Sequence, residues 1–420
     1  MECRDGYWST LEDVSTGPGR YGIGAPAVNF RENLPTYLRI TDIRDDGTLD
    51  LSSKKSVADP KASDYFLKEG DIVFARTGNS TGRSYCYDSR DGKFVYAGFL
   101  VKFSIDSEKV NPRYIKYYVQ SRFYWDWISS FNTGSTRGNI NAKTYGTLPI
   151  FIPSRDVQDK IVAIADSVSE KIRINNRIND YLDQLIDCKF NSLLCEFENH
   201  KVTGLDWRIG TISEFVNEII SGDWGKDSSQ ANFTRQVRCV RGADIPMVFK
   251  GDKSKAPVRY ILEKNFFKKR LFENDVIIEI SGGSPSQSTG RSVYICSSLI
   301  NRYEEPLVCT NFCRALRLNE DYSFYISCYF RYLYKRGVFF SYENGTTGIK
   351  NLDLNAVLNN ENIVIPSKSV IDDFNKMYKK IVSMKYALGK ENDRLSILRD
   401  ALLPKLMSGE IDVSKIDLSS

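Results

Sequence analysis

Two loops of this sequence carry residue types that suit contacts with phosphate groups and base edges. They are residues 75–83, Ala-Arg-Thr-Gly-Asn-Ser-Thr-Gly-Arg, and residues 280–291, Ile-Ser-Gly-Gly-Ser-Pro-Ser-Gln-Ser-Thr-Gly-Arg. Glycines allow close backbone approach, and hydroxyl, amide and guanidinium groups hydrogen bond to phosphate oxygens or base edges. The same glycines are also typical of a hairpin turn without any binding role. Because Ser80–Ser84 recurs letter for letter as Ser288–Ser292, we favour binding.

Four further segments combine small polar or aromatic residues with a cation. Residues 134–139 and 345–351 fit backbone contact with nucleic acid, which we slightly favour, and an N-cap of a short helix is the alternative. Arg20-Tyr21 and Trp224-Gly225-Lys226 can stack on a base or wedge beside it, and a core-facing aromatic is the alternative for both. These segments are therefore secondary candidates for the same interface.

The sequence lacks the residue patterns of most known catalytic sites. Its nine cysteines contain no C-x-x-C pair, and His200 is the only histidine, which argues against a zinc site, a disulfide framework and histidine-based catalysis. The P-loop pattern and the Asn/Asp-Pro-Pro-aromatic tetrapeptide of amino-methyltransferases are both absent. Asp187-Cys188-Lys189 has a nuclease-like spacing, but it falls in a helical segment, so we interpret it as solvated charge. We expect neither catalysis nor a metal site in this chain.

A tandem repeat organises the elements that position these loops. The chain matches itself at an offset of 201 to 213 residues. The matched pairs, each given as first-half and second-half residues, are Thr10–Val14 with Thr211–Phe215, Gly19–Gly22 with Gly222–Gly225, Leu38–Ile43 with Val240–Ile245, Asp71–Phe74 with Asp275–Ile278, and Ile152–Ser154 with Ile365–Ser367. The runs before each Pro-Ser are strand-like. The sequence therefore predicts two copies of one α/β (α+β) domain.

After each Pro-Ser the pattern becomes helical, with apolar residues at alternating steps of three and four. The second seam is Val370, Phe374, Met377, Ile381, Met384, Leu388, Leu395, Leu398 and Leu402, with Glu391 as its one polar position. The first seam is Val157, Ile161, Ile164, Val168, Ile178, Leu182 and Leu185, interrupted by Lys171 and Asn175 and ending at Lys189. Such a seam needs a partner, and we predict that the two helices, each of about 33 residues and roughly 50 Å, pair as an antiparallel coiled coil. Lys171 and Asn175 fit either register-setting residues or a docking place for another chain.

Composition limits the remaining possibilities. The chain has 420 residues, of which 41% are hydrophobic and 26% charged, with a net charge of +5. These values favour a globular protein of two or more domains and exclude a disordered chain. No apolar run is long enough to span a membrane and no targeting segment is visible, so we expect a cytoplasmic protein. The globular segments are mildly basic and the first helical segment is acidic, which would place a polyanion on the globular units.

Taken together, the R-x-x-D-I motif, the G-D-[IV] strand start at Gly70-Asp71-Ile72, the I-P-S transitions and the closing Leu402–Ile411 resemble the specificity subunit of type I restriction-modification systems. The resemblance covers essentially all of the chain. It implies target recognition domains at 1–153 and 203–366, and conserved helical regions at 154–202 and 367–420. Each recognition domain would read one half of a bipartite, asymmetric DNA target, while the helices set the spacer between the halves.

The resemblance also implies that this chain binds no cofactor and has no catalytic site. Two modification subunits would dock on the helices and use S-adenosylmethionine to methylate adenine N6, and restriction subunits would use ATP and Mg²⁺. The expected location is bacterial or archaeal cytoplasm, without membrane contact. Two other interpretations stay open: a specificity module of a related phage-defence methyltransferase, and a coiled-coil scaffold protein.

The family provides no transferable set of base-reading residues, so the DNA contacts are predicted from the loops alone. Arg76, Arg83, Arg291 and Lys350 are the leading candidates for phosphate or guanine contacts. The full predicted set is Arg20, Tyr21, Arg76, Thr77, Asn79, Ser80, Thr81, Arg83, Arg137, Asn139, Trp224, Lys226, Ser281, Ser288, Thr289, Arg291, Thr347, Lys350 and Asn351.

Overall fold

The computed structural model describes residues 6–131, 138–200, 207–284, 287–345, 349–414 and 416. The chain forms two compact units. The first unit comprises Met1–Glu170 and Ser396–Ser420, and the second comprises Lys171–Leu395. Each unit therefore contains one of the predicted recognition domains together with a segment of each long helix.

The first domain combines short strands with short helices. Its elements are β1 (Gly6–Thr10), β2 (Arg20–Tyr21), β3 (Ala27–Asn29), β4 (Thr36–Leu38), β5 (Lys55–Val57), β6 (Asp71–Ala75), β7 (Ser84–Cys86), β8 (Phe94–Tyr96), β9 (Leu100–Ser104), α1 (Pro112–Tyr118), α2 (Arg122–Ser129), α3 (Ala142–Gly146) and β10 (Pro149–Pro153). It is followed by the long helix α4 (Arg155–His200).

Two sheets and a terminal ribbon make up this domain. One sheet has the order β2-β9-β6-β7 and is antiparallel, and the other has the order β3-β5-β4-β8 with β4 and β8 parallel. Strand β6 is buried on both faces: Ile72 and Phe74 belong to one apolar cluster, and Val73 and Ala75 to another. That double burial explains why residues 71–75 form a continuous apolar run after the aspartate. The ribbon pairs β1 with β10, so the two ends of the domain meet.

The second domain repeats this topology. Its elements are β11 (Arg208–Thr211), β12 (Val216–Ser221), β13 (Phe233–Val240), α5 (Ile245–Phe249), β14 (Val258–Leu262), α6 (Glu263–Lys269), β15 (Asp275–Glu279), β16 (Ser281–Gly282), β17 (Ser292–Tyr294), α7 (Ser297–Ile300), β18 (Leu307–Cys309), β19 (Cys313–Leu318), α8 (Ser323–Lys335), β20 (Glu343–Asn344), β21 (Lys350–Leu352), α9 (Leu354–Asn360) and β22 (Asn362–Ile365), before the long helix α10 (Lys368–Ser408).

The sheet order β12-β19-β15-β17 corresponds to β2-β9-β6-β7, and the parallel pair β13 and β18 corresponds to β4 and β8. The ribbon of β11 and β22 corresponds to β1 and β10. The predicted internal repeat and the mixed α/β fold are thereby confirmed. The second domain adds a small sheet, β16-β21-β20.

The R-x-x-D-I motif has the same structural task in both halves. The Asp42 carboxylate accepts hydrogen bonds from the backbone and guanidinium nitrogens of Arg39, at 2.5 to 3.0 Å. Asp244 binds Arg241 in the same way, at 2.8 to 3.1 Å. Both aspartates are buried. Because a buried carboxylate needs a paired cation and hydrogen bonds, the motif recurs for the stability of the turn after β4 and β13.

One part of the predicted repeat is wrong. A Cβ atom at Gly22 would meet the carbonyl oxygens of Tyr96 and Ala97, and one at Gly222 would meet those of Cys309 and Thr310. Gly22 is therefore equivalent to Gly222 and not to Gly225. The sequence alignment slipped by three residues because a glycine and an aromatic residue occur at both registers.

Segments of α4 and α10 pair antiparallel within each unit. In the second unit Asn175 contacts Asn392 whereas Asp183 contacts Lys385, so the two segments run in opposite directions. The helices have 46 and 41 residues, longer than the predicted 33, and α10 continues through Pro404.

The heptad prediction holds in the early part of each helix and drifts afterwards. Beyond Asn175 the buried residues are Asn179, Asp183, Ile186, Phe190 and Leu194, while Leu185 is exposed. On α10, Lys385 is buried while Met384 is exposed. A helix of 3.6 residues per turn turns away from a strict seven-residue repeat by about 20° per heptad, which displaces the buried stripe by one position.

Asp187 is also not simply solvated charge. Its carboxylate accepts a hydrogen bond from Arg331 at 2.9 Å and is paired with Lys335, both on α8. Among the residues that the structure describes, no helix is long and apolar enough to cross a membrane. The same residues include no cluster of His, Cys, Asp and Glu that could hold a metal ion.

Candidate nucleic-acid interface

The repeated Ser-Thr-Gly-Arg-Ser segment closes the same backbone turn in both domains. In the first, Ala75 N donates to Arg83 O at 2.8 Å and Gly82 N donates to Ala75 O at 3.0 Å. In the second, Glu279 and Gly290 make the equivalent bonds at 2.8 and 2.9 Å. Gly82 has a φ of +92° and Gly290 a φ of +95°, which favours glycine over other residues. The glycine of the motif is thus required by the turn.

The hydroxyl groups of the motif are used inside the protein. Thr81 Oγ1 donates to the carbonyls of Gly78 at 2.8 Å and Gly138 at 2.9 Å. Thr289 is fully buried and donates its N–H and its hydroxyl to the Glu343 carboxylate, at 2.6 and 2.9 Å. Ser80 and Ser288 are buried as well. The two threonines therefore hold the loops in shape, and the two serines are buried within them.

The two motif arginines are both paired with a carboxylate, but in different surroundings. Arg83 Nε donates to Asp45 at 2.7 Å, and the Asp45 side chain is 74% exposed. Arg291 makes two bonds to Glu279, at 2.6 and 2.8 Å, and the Glu279 side chain is only 5% exposed. The hydrogen bond with Glu279 raises the pKa of Arg291. Arg291 therefore neutralises a buried charge, and a base-reading role for either arginine stays a prediction.

The structure brings several other predicted residues together as a first loop surface, defined by Tyr21, Arg76, Thr77, Phe99 and Asn139. The Arg76 guanidinium lies 4.8 Å from the centre of the Tyr21 ring. Arg76 N donates to Phe99 O at 3.1 Å, and Thr77 and Asn139 form a β-bridge. Nε of Arg76 is buried and has no hydrogen-bond partner within the described part of the chain. This surface presents a cation stacked on an aromatic ring, an arrangement suited to nucleic acid.

The structure gives no binding contact for three further predicted residues of the first half. Arg20 is exposed on β2, opposite Lys102 of β9. Asn79 is exposed within the loop. Arg137 lies outside the described residues.

The equivalent second loop surface is defined by Ser281, Phe312, Lys350 and Asn351. Ile280 and Ser281 donate their N–H groups to Phe312 O at 2.9 and 3.2 Å, and Ser281 Oγ donates to the Asn351 side chain. The Lys350 ammonium donates to Glu343 at 2.7 Å. Burial raises the pKa of Glu343, but hydrogen bonds from Lys350 and Thr289 outweigh burial and hold that pKa below its usual value. Thr347 lies outside the described residues.

Trp224 and Lys226 belong to a different part of the second domain. The Arg259 guanidinium stacks 4.1 Å from the Trp224 ring centre and donates to Trp224 O at 2.8 Å. Lys226 N donates to Tyr260 O at 2.9 Å, and the Lys226 ammonium lies 5.6 Å from the Phe233 ring centre. The structure therefore does not join these two residues to the second loop surface through any contact it describes.

Phe99 and Phe312 are the residues that sequence reasoning missed. They are 60% and 56% exposed, and each provides the carbonyl that fixes the start of its loop. The two positions are 213 residues apart, the same offset as between the two I-P-S segments. That offset could have identified the two phenylalanines from the sequence, because it pairs Gly98-Phe99-Leu100 with Asn311-Phe312-Cys313.

Comparison with known proteins finds one family with which this chain shares similarity. Residues 36–184 match the family model described as the type I restriction modification DNA specificity domain. This match covers most of the first domain and the first two thirds of α4.

The chain is similar in sequence to type I specificity subunits, as its sequence predicted. It is 23% identical over 326 residues to the type I restriction enzyme MjaIX specificity subunit of Methanocaldococcus jannaschii, covering 74% of this chain and 72% of that protein. It is 22% identical over 405 residues to the HindI specificity subunit of Haemophilus influenzae, covering 82% and 87%. The crystal structure of the S subunit of a type I system from M. genitalium has a similar fold, with 16% identity, 97% of each chain covered and a TM-score of 0.50.

Proposed function

We propose that this chain is the non-catalytic DNA-reading subunit of a type I restriction-modification complex in a bacterial or archaeal cytoplasm. Each recognition domain reads one half of a bipartite, asymmetric target in double-stranded DNA. The helices α4 and α10 set the spacer and dock two modification subunits, and restriction subunits join that core. S-adenosylmethionine, ATP and Mg²⁺ belong to those partners.

The observation that carries the proposal is the repetition of one domain with an equivalent loop surface in each copy. Two similar but non-identical readers in one chain suit a target of two different half-sequences. The Arg76 cation on Tyr21 supports DNA as the ligand, because its Nε atom lacks a partner within the described residues. Buried donors without a partner are rare in folded proteins, so this one requires an explanation such as an ordered water or a bound group.

The decisive experiment is single-molecule methylation sequencing of the host genome with the gene intact and deleted. We expect a split N6-methyladenine motif that disappears on deletion and returns on complementation. A genome in which no split motif depends on this gene, while the neighbouring methyltransferase is active, contradicts the proposal.

The role of Arg76 has its own test on the identified target. In the complex of chain and modification subunit, Arg76→Ala is expected to lower the slope of log affinity against log salt by about one if Arg76 contacts phosphate. Lys61→Ala is the matched control, because Lys61 is an exposed cation on the 3-10 helix Pro60–Tyr65. Equal slopes for wild type and Arg76→Ala would remove Arg76 from the phosphate contacts.

Absence of catalysis is tested with the purified chain alone. Incubation with target DNA, Mg²⁺ and S-adenosylmethionine is expected to leave the DNA uncut and unmethylated. Cleavage or methylation that co-purifies with this chain would make it an enzyme.

A further inference from the structure

Phe99 and Phe312 occupy the same turn in the two recognition domains. Leu100 N donates to Ala97 O at 2.8 Å, and Cys313 N donates to Thr310 O at 2.9 Å, so each phenylalanine is the third residue of a four-residue turn. Ala97 N donates to Leu38 O and Thr310 N donates to Val240 O, both at 3.0 Å. The turns are therefore fixed to β4 and β13 on one side and to the loops on the other.

These two rings do not take part in the apolar packing of the folded domains. Leu100 and Cys313, which follow the phenylalanines, are fully buried, whereas the two rings are more than half exposed. Neither ring belongs to an apolar cluster of the described residues. The other turn residues differ, Ala-Gly-Phe-Leu against Thr-Asn-Phe-Cys. An aromatic ring retained on a rigid, polar loop in both copies points to a ligand with a flat apolar face.

We infer that Phe99 and Phe312 are the aromatic wedges of the two recognition domains, each inserting its ring at one base step of its own half-site. This inference rests on the proposed function and adds the element that deforms the DNA. Phenylalanine side chains that enter between bases unstack them and kink the duplex, and a rigid turn positions such a ring without loss of conformational entropy. The neighbouring polar groups, Arg76 in one domain and Ser281 in the other, then contact the backbone or the displaced base edges.

The test uses the complex of this chain with its modification subunit and the target found by methylation sequencing. 2-Aminopurine, whose fluorescence rises when it is unstacked, replaces each purine of both half-sites in turn, leaving out the methylated adenine, which the partner flips out. With wild-type protein we expect a rise at one position in each half-site. Phe99→Ala should abolish the rise in one half-site only and Phe312→Ala in the other only, each with about tenfold weaker binding.

Controls separate a wedge from a loss of fold. Phe99→Trp and Phe312→Trp should keep the fluorescence rise, whereas the alanine variants should lose it with unchanged thermal unfolding. Phe30→Ala and Phe267→Ala are matched controls, since these rings are 43% and 64% exposed elsewhere in the two domains. Both should leave the fluorescence signals intact.

Three outcomes overturn the inference. The first is a fluorescence rise that persists in both half-sites in Phe99→Ala and in Phe312→Ala, in complexes that still bind the target. The second is that the two variants lose the signal of the same half-site. In these two cases the proposed function stands. The third is a wild-type complex that does not bind the target at all, which overturns the proposed function and the wedge together.

Discussion

At the end of β6 the first unit has Ala75 followed by Arg76, whereas at the end of β15 the second unit has Glu279 followed by Ile280. The backbone hydrogen bonds around these pairs are the same in both units. In the second unit the acid holds Arg291, and in the first the motif arginine turns instead to the exposed Asp45. The comparison teaches that backbone bonds and one glycine preserve the turn, so that the charges around it are free to differ.

The helix segments differ between the units in a similar way. In the first unit α4 and α10 meet through Ile164, Ala165, Val168, Leu402 and Leu403, a set of apolar side chains. In the second they meet through a polar layer of Asn175, Asn392, Asp183 and Lys385. Lys385 and Asn179 also donate to the carbonyls of Phe249 and Lys250 at the end of α5. The polar layer therefore ties the second helix pair to its recognition domain.

The largest expected effect comes from breaking that polar layer. Burial raises the pKa of Asp183 and lowers the pKa of Lys385, because desolvation outweighs their mutual attraction. Lys385→Met leaves the Asp183 charge buried and unpaired, and should destabilise the second unit by about 3 to 5 kcal/mol. The double variant with Asp183→Leu should recover more than half of that loss. The free energy of unfolding is measured in urea, and hydrogen–deuterium exchange mass spectrometry assigns the loss of protection to one unit or the other.

The adjacent Met384, half exposed on the same helix, is the control, and Met384→Ala should change stability by less than about 0.5 kcal/mol. A double variant as unstable as Lys385→Met would show that the hydrogen bond to Phe249, and not the ion pair, carries the effect.

A second effect separates the two motif arginines. Arg291→Ala leaves the buried Glu279 without its cation and should destabilise the second unit by about 3 kcal/mol. Arg83→Ala should cost less than about 1 kcal/mol, because Asp45 is exposed. Adding Glu279→Ala, which matches the equivalent Ala75, should restore most of the stability lost in Arg291→Ala. Equal losses for the two arginines in thermal unfolding would refute this difference between the halves.

The third largest expected effect on stability comes from substituting the glycines of the motif. Gly82→Ala and Gly290→Ala both place a side chain at positive φ, which should lower the free energy of unfolding by about 1 to 2 kcal/mol each. A Cβ at Gly290 would overlap the Phe339 ring, whereas one at Gly82 would lie 2.9 Å from the side chains of Ile128 and Trp125. Gly290→Ala should therefore be the more destabilising of the two in chemical denaturation. The reverse order would mean that Phe339 moves more readily than Ile128 and Trp125.

The smallest effect is a pH dependence found in the second domain. Because the folded-state pKa of Glu343 is lowered, its contribution to stability is present above pH 4.5 and is lost as pH falls through that lowered value. The stability difference between wild type and Glu343→Gln should therefore shrink between pH 6 and pH 3. A difference that stays constant over this range in urea titrations would contradict the role of the carboxylate charge.

Much of the fold was predictable because it depends on local pattern. The repeat, the buried strands after Asp71 and Asp275, and the helices after each Pro-Ser all follow from residue spacing. The drift of the helix seam was not predicted, since it depends on the real turn angle of a packed helix. The slip at Gly22 arose from residue types that fit two registers equally.

The candidate site was less predictable than the fold. The sequence placed Arg76 and Thr81 in one loop and Asn139 in a separate segment as a secondary candidate. The structure brings the two segments together, because Thr81 donates to Gly138 O and Thr77 forms a β-bridge with Asn139. It could not show that Arg83 and Arg291 are held by Asp45 and Glu279, because those pairings depend on tertiary contacts. The exposure of Phe99 was equally hidden, since a phenylalanine in a strand-rich region is usually part of the core.

The composition of the first unit has a consequence for synthesis on the ribosome. Leu403, Leu406 and Met407 of α10 are buried in the same apolar cluster as Ile161 and Ala165 of α4. About 225 residues, Lys171–Leu395, are translated between these two parts of one core. At ~5–20 residues per second the nascent first unit waits roughly 11 to 45 s for its last helix. During that interval the apolar residues of α4 that Leu403, Leu406 and Met407 cover in the finished protein are exposed, which makes the nascent first unit prone to aggregation.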